Sequence, residues 1–479
     1  MSVSPNHTPA GDPLTLDDKT SLWQQLQEAI RGSDADYTRI PLNRAILLLA
    51  VPMILELMME STFAVVDIYF VGQLGPSAVA TVGLTETYLF LLYSIAMGLA
   101  MGVTAIVARR VGEGDKQGAS ISGVQSILLA ILCSVPFAIA GIFFARDLLA
   151  LMGADAWVLE EGYRYTQWML GGNVVILLLF VSNAVFRGAG DAAIAMRVLF
   201  FANTINIILD PILIFGWGPV PALGIEGAAI ATNIGRGIGA AVIFWNLVRG
   251  GKHIRAGFRQ WRLNFKLMGH IFRTSLGGIG QMLVAMSAWI FLMRILADVG
   301  SEAIAGATIT IRVMLFTMMP AWGLSNAAAT LVGQNLGAGH PQRAENSVWR
   351  IGIYNMVFLV AVSFVYYFYS EELIGIFSPD PTVIRIGAEW MRILAYSYFV
   401  YGWWMVSVQA FNGAGDTRTP TWINLIFFWM IQIPLSWWLA IRLDWQESGV
   451  FWAVFVSETA VGLFTLWLFT RGTWKNYKV

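Results

Sequence analysis

The feature that most constrains this chain is a series of twelve mostly apolar runs between residues 45 and 470. Each run has about 20 residues or more, which as a helix is long enough to cross a hydrocarbon layer of about 30 Å. An unpaired backbone group is costly in hydrocarbon, so each run is expected to be a helix. The predicted spans are residues 45–71, 79–108, 121–145, 163–186, 193–216, 223–248, 268–297, 303–332, 348–369, 386–411, 420–442 and 448–470. The sequence therefore predicts an all-α integral membrane protein with twelve transmembrane helices.

The composition agrees with a membrane protein and excludes several soluble classes. Charged residues make up 13% of the 479 residues, against roughly a quarter in a soluble domain. The 30 basic and 30 acidic residues cancel, so there is no net field to attract nucleic acid. The single cysteine, Cys133, excludes a disulfide framework and multi-cysteine metal sites. Without a nucleophile–base pair or a phosphate-binding loop, we expect a protein that is not an enzyme, needs no cofactor, and has small molecules and membrane lipids as partners.

Basic residues predict the orientation of the chain. Short cytoplasmic segments are enriched in Lys and Arg, and with a cytoplasmic N-terminus the inside segments carry 22 of them against four outside. An even number of spans then places both termini in the cytoplasm, in a multi-pass protein of the inner membrane. The predicted divisions are a cytoplasmic tail (1–41), a six-helix lobe (42–248), a cytoplasmic inter-lobe loop (249–267), a second six-helix lobe (268–471) and a cytoplasmic tail (472–479).

The N-terminal tail is rich in Pro, Asp, Ser and Thr and lacks the apolar core of a signal peptide. Within it, Leu22, Trp23, Leu26 and Ile30 have the spacing of one helical face. Such a face is suited to the membrane interface. The alternative is a tail that is simply solvated.

An internal duplication organises the spans into two halves. The motif Phe186–Asp191 (FRGAGD) recurs in the second half as Phe411–Asp416 (FNGAGD). The offset between these motifs also brings Gly98 and Gly112 onto Gly323 and Gly337. Each copy has six spans, and six is even, so both copies insert in the same orientation and are related by a pseudo-two-fold axis along the membrane normal. Two such lobes can alternate access to a site between them, although a duplicated bundle could also form a channel.

The first span carries three acidic residues where lipid-facing residues are expected. Glu56, Glu60 and Asp67 are spaced by four and seven residues, which places them on one helical face. An ionisable group inside the membrane is costly, and it usually marks a functional site. Pro52 precedes them and permits a bend in the helix. Asp67 is the first candidate for binding a proton or a coupling cation, and a static packing hydrogen bond is the alternative.

The fifth span offers a matching polar set. Asn203, Asn206 and Asp210 share one face, and Pro211 follows directly and is a second candidate bend. Thr232 in the sixth span, with Asn233 beside it, could complete the set. Carboxylate, amide and hydroxyl oxygens suit Na⁺, and buried carboxylates suit proton exchange equally well. The alternative role for Asn203 is a hydrogen bond between helices.

The repeat tests where this chemistry belongs. At the offset that relates the two halves, Asp67 corresponds to Leu292 and Asp210 to Leu435. The second half therefore repeats the predicted fold without these acids. We expect the ion chemistry to lie in the first lobe.

Several motifs together resemble those of the multidrug and toxic compound extrusion (MATE) transporters, over about residues 40–470. They are Pro52 fifteen residues before Asp67, Val71–Gly75 (VGQLG), Gly98-Leu99 before Gly112–Asp115 (GEGD), Phe186–Asp191, Asn206 with Asp210-Pro211, and Val332–Gly339 (VGQNLGAG). The last of these is the most distinctive.

This resemblance implies a twelve-helix antiporter, monomeric, that exports organic cations or similar compounds in exchange for H⁺ or Na⁺. It implies a cation site formed by Asp67, Asn206, Asp210 and Thr232. NorM-like members carry an acid in the seventh helix, where this chain has Gln281 and no acid, so the DinF-like arrangement is favoured. Glu60 is an additional acid that could contact a cationic substrate. Glu56, Asn203 and Gln281 are further candidates for substrate binding or coupling.

Two other functions remain open. A flippase for lipid-linked oligosaccharides shares this architecture, but such proteins tend to have extra spans and a more cationic cavity. The acids of the first lobe predict an acidic cavity here. A channel would need a ring of polar residues that forms a filter, and the sequence shows none.

Overall fold

The computed structural model describes residues 21–250 and 254–477. The first 20 residues of the predicted N-terminal tail, three residues of the inter-lobe loop and the last two residues of the C-terminal tail lie outside the described residues. Thirteen helices of ten residues or more form the described part of the chain. They are α1 (Leu22–Arg31), α2 (Leu42–Gly72), α3 (Pro76–Gly112), α4 (Lys116–Leu151), α5 (Val158–Ala189), α6 (Ala192–Phe215), α7 (Ile225–Arg249), α8 (Phe265–Val299), α9 (Ser301–Gly337), α10 (Pro341–Gly375), α11 (Pro381–Ala414), α12 (Arg418–Arg442) and α13 (Gln446–Thr470).

Helices α2 to α13 correspond one by one to the twelve predicted spans. Eleven of them are long and apolar enough to cross a membrane, counted over the described residues. The other, α11, has 34 residues and carries charged residues at Arg385, Glu389 and Arg392, nearer its beginning. The predicted all-α membrane architecture is confirmed. Most helices extend several residues beyond the predicted spans, because the predicted bounds follow the apolar runs and leave out polar residues at the helix ends.

Each lobe has its own apolar core. Helices α2 to α7 form the first lobe and α8 to α13 form the second. Leu92, Leu99, Val181 and Val185 belong to the core of the first lobe, and the second lobe packs around aromatic residues that include Trp390 and Phe451, whose rings are stacked. A third apolar cluster joins the lobes, with the first half of α2 packed against Ala327–Val332 of α9.

The lobes meet most closely on the side of the molecule where both ends of the described chain, residues 21 and 477, lie; this side is here called the terminal face. Glycines on the facing helices allow this approach. A Cβ atom added to Gly98 would lie 2.3 Å from the backbone nitrogen of Ile279, and one on Gly112 would lie 2.0 Å from the carbonyl oxygen of Gln334. Both distances are too short for any side chain. The two lobes are therefore held together between the middle of the protein and the terminal face.

Helix α1 docks on the first lobe at the terminal face. Ser21 caps it through a capping box with Gln24, and Arg44 of α2 donates to Glu28 at 2.8 Å. Burial raises the pKa of Glu28, but hydrogen bonds from Ser33 and Arg44 and the charge of Arg44 lower it by more, so its pKa lies below the ordinary value. The predicted helical face is present, with Leu22, Trp23 and Ile30 exposed. The docking of α1 thus leaves that apolar face turned away from the protein.

Residues 32–41, here called the N-terminal strap, connect α1 to α2 and touch both lobes. The hydroxyl of Tyr37 donates to the carbonyl oxygen of Gly190 in the first lobe at 3.1 Å. Arg343 of the second lobe donates to the carbonyl oxygen of Tyr37 at 3.0 Å and to that of Ile40. The backbone of the strap is therefore fixed from both sides.

The inter-lobe loop and the C-terminal end also pack at the terminal face. Gln125 of α4 donates to the carbonyl oxygens of Gln260 and Arg262 at 3.0 and 2.9 Å, which fixes the described part of the loop against the first lobe. Near the other end, Trp474 is fully buried and stacks on Phe469. Arg109 of the first lobe donates to the carbonyl oxygen of Tyr477. The end of the described chain thus forms a second link between the lobes.

Candidate functional site

Polar side chains from four helices of the first lobe meet inside it. This group includes the acids of α2, two residues of α5, the polar face of α6 and two residues of α7. They are Glu56, Glu60, Asp67, Asn183, Arg187, Asn203, Asn206, Asp210, Thr232 and Arg236. Spacings of three, four or seven residues place the members from each helix on one face. Hydrogen bonds between helices show that these faces are turned towards one another.

Asp210, Asn206 and Thr232 form the most deeply buried part of this group. The side-chain amide of Asn206 donates to the hydroxyl of Thr232 at 3.1 Å, so these two candidate residues are in contact. Asp210 is completely buried. Neither carboxylate oxygen of Asp210 nor the amide oxygen of Asn206 has a hydrogen-bond partner among the described residues. Three buried acceptors without donors are costly, and they are what a bound cation or proton would satisfy.

Asp67 lies beside this set, on the half of α2 away from the terminal face. Its carboxylate is half-buried and within electrostatic range of Asp210. It also interacts electrostatically with Arg236 and Glu86. Two carboxylates in electrostatic range of each other repel when both are charged, and a cation or proton between them relieves that repulsion.

Glu60 has partners that the sequence analysis did not find. Its carboxylate accepts from Arg236 of α7 at 2.7 Å and from Asn203 of α6 at 3.1 Å. The side chain of Arg236 is only 4% exposed, and its guanidinium carbon lies 5.5 Å from the centre of the Phe63 ring. The charge of Glu60 is therefore balanced inside the lobe, and Asn203 has the interhelical hydrogen bond that was its alternative role.

Glu56 is bound in the same way, one turn nearer the terminal face. One carboxylate oxygen accepts from Arg187 at 3.0 Å and from Asn183 at 3.3 Å, both on α5. Its other oxygen is buried without a partner among the described residues. Glu56 and Arg187 thus form a second ion pair within the lobe.

Three further predicted residues are placed differently from the central set. Asn233 donates to the carbonyl oxygen of Trp168 at 3.0 Å, on α5, so it does not join Asn206 and Thr232 as the sequence predicts. Pro52 lies inside α2 and Pro211 lies inside α6, and both helices continue through them.

A cavity of about 270 Å³ lies between the two lobes. This is close to the lower end of the range for ligand pockets, about 300–1,000 Å³. Its wall is mostly apolar and rich in methionine, tryptophan and side-chain amides. The first lobe contributes Leu57, Met97, Ala100, Met101, Thr104, Phe180 and Arg187, and the second lobe contributes Gln281, Met282, Ala285, Met319, Trp322, Asn326, Ala329, Thr330, Trp404, Met405, Val408, Gln409, Asn412 and Asn424.

The charge of this cavity differs from the acidic cavity that the sequence predicts. Arg187 is the one charged side chain in its wall, within the described part of the chain. The expectation was wrong because Glu56 and Glu60 face Arg187 and Arg236 inside the first lobe. The acids and the interlobe cavity are neighbouring but separate features.

The repeat relates the two walls of the cavity. At the offset that relates the two halves, Glu56 corresponds to Gln281 and Arg187 corresponds to Asn412. Gln281 is buried and donates to the side chain of Asn412 at 2.9 Å and to the carbonyl oxygen of Thr417 at 3.0 Å. An ion pair in the first lobe is thus replaced by an amide pair at the equivalent place in the second.

The second lobe contains a buried acid that the sequence analysis overlooked, in the middle of a predicted span. Glu458 is 8% exposed in the interior of α13 and lies close to Ser397 of α11. Tyr398 and Tyr401 lie within its electrostatic range. It corresponds to Asn233 in the repeat, and a search that began only from the acids of the first lobe could not find it. The ionisable chemistry of the spans is therefore concentrated in the first lobe but not confined to it.

The donor set of the first lobe fits a monovalent cation or a proton. The described residues contain no group of three or more His, Cys, Asp or Glu side chains arranged to hold a metal ion. Carboxylate, amide and hydroxyl oxygens are hard ligands, and Asp210, Asn206 and Thr232 supply all three kinds.

Comparison with known proteins gives close agreement in length and fold. The chain is 28% identical over 399 residues to a protein of Shewanella oneidensis named "FAD transporter", covering 83% of this chain and 88% of that protein. It is 27% identical over 400 residues to the "Probable multidrug resistance protein NorM" of Thermotoga maritima, covering 82% and 85%. A solved structure described as the outward-facing conformation of a multidrug resistance MATE family transporter superposes with a TM-score of 0.84 at 22% identity, covering 96% of this chain and 100% of that one.

The family model named MatE matches the chain twice, over residues 52–212 and 278–438. The first match contains α3 to α5 and most of α2 and α6, and the second contains the equivalent helices of the second lobe. The two matches repeat the duplication seen in the sequence and in the two lobes, and together they cover more than half of the residues. The chain belongs to the MatE family.

Proposed function

We propose that this protein is a secondary active multidrug efflux antiporter, which exports amphiphilic organic compounds in exchange for H⁺ or Na⁺. The observation that carries the proposal is the group of buried oxygens without donors at Asp210 and Asn206, beside a cavity between two lobes. The buried oxygens supply a place for the coupling ion, and the cavity supplies a place for the substrate. The exchange of an ion gradient for substrate movement needs no further cofactor.

In this proposal the coupling ion binds at Asp67, Asn206, Asp210 and Thr232. The ion relieves the repulsion between the two carboxylates and satisfies the acceptors of Asp210. Pro52 removes one backbone hydrogen bond from α2, so α2 can bend there. Because α2 carries Asp67, lines the cavity at Leu57 and contacts the second lobe near Ile54, a change at the ion site can reach both the cavity and the interface of the lobes.

The orientation and location follow from the same proposal. The terminal face is cytoplasmic, since the basic residues are concentrated on that side, and the protein lies in the inner membrane. The lobes are in contact between the cavity and the terminal face, so this state is closed towards the cytoplasm. Each chain contains both lobes and the cavity between them, so a monomer is sufficient for transport.

Efflux from proteoliposomes tests the proposal, with pH and Na⁺ gradients imposed separately. We expect Asp67→Asn and Asp210→Asn to abolish gradient-driven efflux, because the ion loses its carboxylate ligands. The matched control is Asp298→Asn, at an exposed carboxylate near the end of α8 whose partner Arg294 lies on the same helix. Normal gradient-driven efflux by Asp67→Asn would contradict the proposal. The substrate panel should include a flavin dinucleotide, since one relative is named for FAD.

The same measurements distinguish the two other functions. A channel would give flux that does not saturate with substrate concentration. An oligosaccharide flippase would move a lipid-linked sugar but not soluble dyes. Saturable exchange of a soluble amphiphile supports the antiporter.

A further inference from the structure

The interlobe cavity has a charge pattern that distinguishes between substrates. Its wall carries a guanidinium group, Arg187, and no carboxylate among the described residues. On the second lobe, side-chain amides line the wall in a connected series. Asn412 donates to Gln409 at 2.8 Å, Gln409 donates to Asn326, and Gln281 donates to Asn412. The two walls therefore offer one positive charge opposite a neutral polar network.

Arg187 is fixed in place and retains donors for a ligand. One of its nitrogens donates to Glu56 at 3.0 Å, and its carbonyl oxygen accepts from Thr330 of the second lobe at 3.1 Å. A guanidinium has five N–H donors, and this ion pair uses one nitrogen. The side chain is 15% exposed, against 5% for Glu56. Arg187 thus lines the cavity, whereas the more deeply buried Glu56 is not among the lining residues.

This arrangement favours anions over cations in the cavity. A ligand group that touches Arg187 is nearer to the guanidinium than to Glu56, so the positive charge dominates its energy. The planar donor fork matches the geometry of a carboxylate or phosphate. The rest of the wall suits a flat apolar body, since it contains Trp322, Trp404 and several methionines.

We infer that the cavity selects aromatic molecules that carry an anionic group, and that Arg187 binds this group. The inference rests on the proposed function, since it names the substrate class of the same cavity. The second lobe has an uncharged pair at the equivalent position, which shows how the charges of the first lobe can be replaced. Gln281 and Asn412 stand where the first lobe has Glu56 and Arg187, and they form a hydrogen-bonded pair without charge. The first lobe can therefore be converted to the second lobe's pair by two substitutions.

The test uses two dyes with the same xanthene ring, anionic carboxyfluorescein and cationic rhodamine 123, in proteoliposomes that contain the full chain. For the unmodified protein we expect carboxyfluorescein to half-saturate efflux at a concentration roughly 10-fold or more below that of rhodamine 123. This ratio corresponds to the free energy of one charge-assisted hydrogen bond. Glu56→Gln with Arg187→Asn should bring the two concentrations together. Glu56→Gln alone should keep or increase the preference for the anion, because it leaves Arg187 without its countercharge.

The outcomes separate this inference from the proposed function. If the unmodified protein exports both dyes equally well, or prefers rhodamine 123, the inference is overturned while the antiporter proposal stands. An anion preference that the double variant retains also overturns the role of Arg187. If neither dye moves under either gradient while another compound of the substrate panel does, the inference is overturned and the antiporter proposal stands. The comparison of dyes on the unmodified protein needs no variant, so it remains decisive even if the double variant does not fold.

Discussion

The buried ion pair between Glu60 and Arg236 predicts that loss of the acid destabilises the protein more than loss of the arginine. The two charged groups are 2.7 Å apart at their nearest atoms, and the side chains are 28% and 4% exposed. At an effective dielectric constant of about 20, charges about 4 Å apart attract by about 4 kcal/mol. Two other nitrogens of Arg236, Nε and Nη1, have no acceptor among the described residues. Glu60 is therefore the hydrogen-bond acceptor on which the guanidinium depends.

Removal of either partner should then have different costs. Glu60→Ala leaves a buried guanidinium without a hydrogen-bond acceptor, although its electrostatic interaction with Asp67 and its contact with the Phe63 ring remain. This variant should lower the free energy of unfolding by about 3–5 kcal/mol. Arg236→Met leaves a carboxylate that is partly exposed and still accepts from Asn203, so we expect about 1–2 kcal/mol. The double variant replaces both charges with apolar groups and should recover most of the loss.

Thermal unfolding in detergent, followed by the fluorescence of the 20 tryptophans, measures this order. We expect the double variant to unfold near the temperature of the unmodified protein, Arg236→Met below it, and Glu60→Ala at the lowest temperature. Equal midpoints for the two single variants would refute the asymmetry. A double variant as unstable as the sum of its singles would refute the coupling between the two residues.

Three further predictions concern the ion site, the lobe interface and the terminal face. Thr232→Val removes the acceptor of the Asn206 amide and should raise the half-saturating concentration of the coupling ion about tenfold, measured as efflux against pH or Na⁺ concentration; an unchanged value would remove Thr232 from the site. Gly98→Val should force the lobes apart, because no space exists for its side chain. If Asn326→Cys is added as a reporter in the cavity, a thiol reagent applied from the terminal face should label this cysteine faster in the Gly98→Val background. An unchanged labelling rate would mean that the interface is not closed there. The pKa of Glu28 is lowered in the folded protein, so its contribution to the docking of α1 is complete above about pH 4.3 and is lost as the pH falls through the folded-state pKa. A spin label on α1 should therefore become more mobile in acid, and Glu28→Gln should remove this pH dependence.

The membrane fold could be predicted because its signals are local and repeated. A span of apolar residues must be helical in hydrocarbon whatever its neighbours are, and the recurrence of FRGAGD as FNGAGD indicated two lobes. The pairing of Asn206 with Thr232 was also predictable, since helical spacing places polar residues on one face and buried polar groups require partners.

The arginine partners could not be found by spacing alone. Arg187 pairs with a residue 131 positions away, and Arg236 with one 176 positions away. Such pairs depend on how helices are arranged in the lobe. One general rule could have indicated them, since buried acids without cations are rare, and Arg236 is an arginine inside a predicted span. Because this rule was not applied to Arg236, the sequence analysis incorrectly predicted an acidic cavity.

The N-terminal strap has a consequence for the order of biogenesis. Ribosomes and the insertion machinery release α1 and the strap first, but Gly190, which binds Tyr37, follows 153 residues later, and Arg343 follows Tyr37 by 306 residues. The strap cannot reach its final position until the second lobe has entered the membrane. A docked strap is therefore a mark of completed assembly, and a protease site placed within residues 32–41 would report, by its protection, when a newly made chain has finished folding.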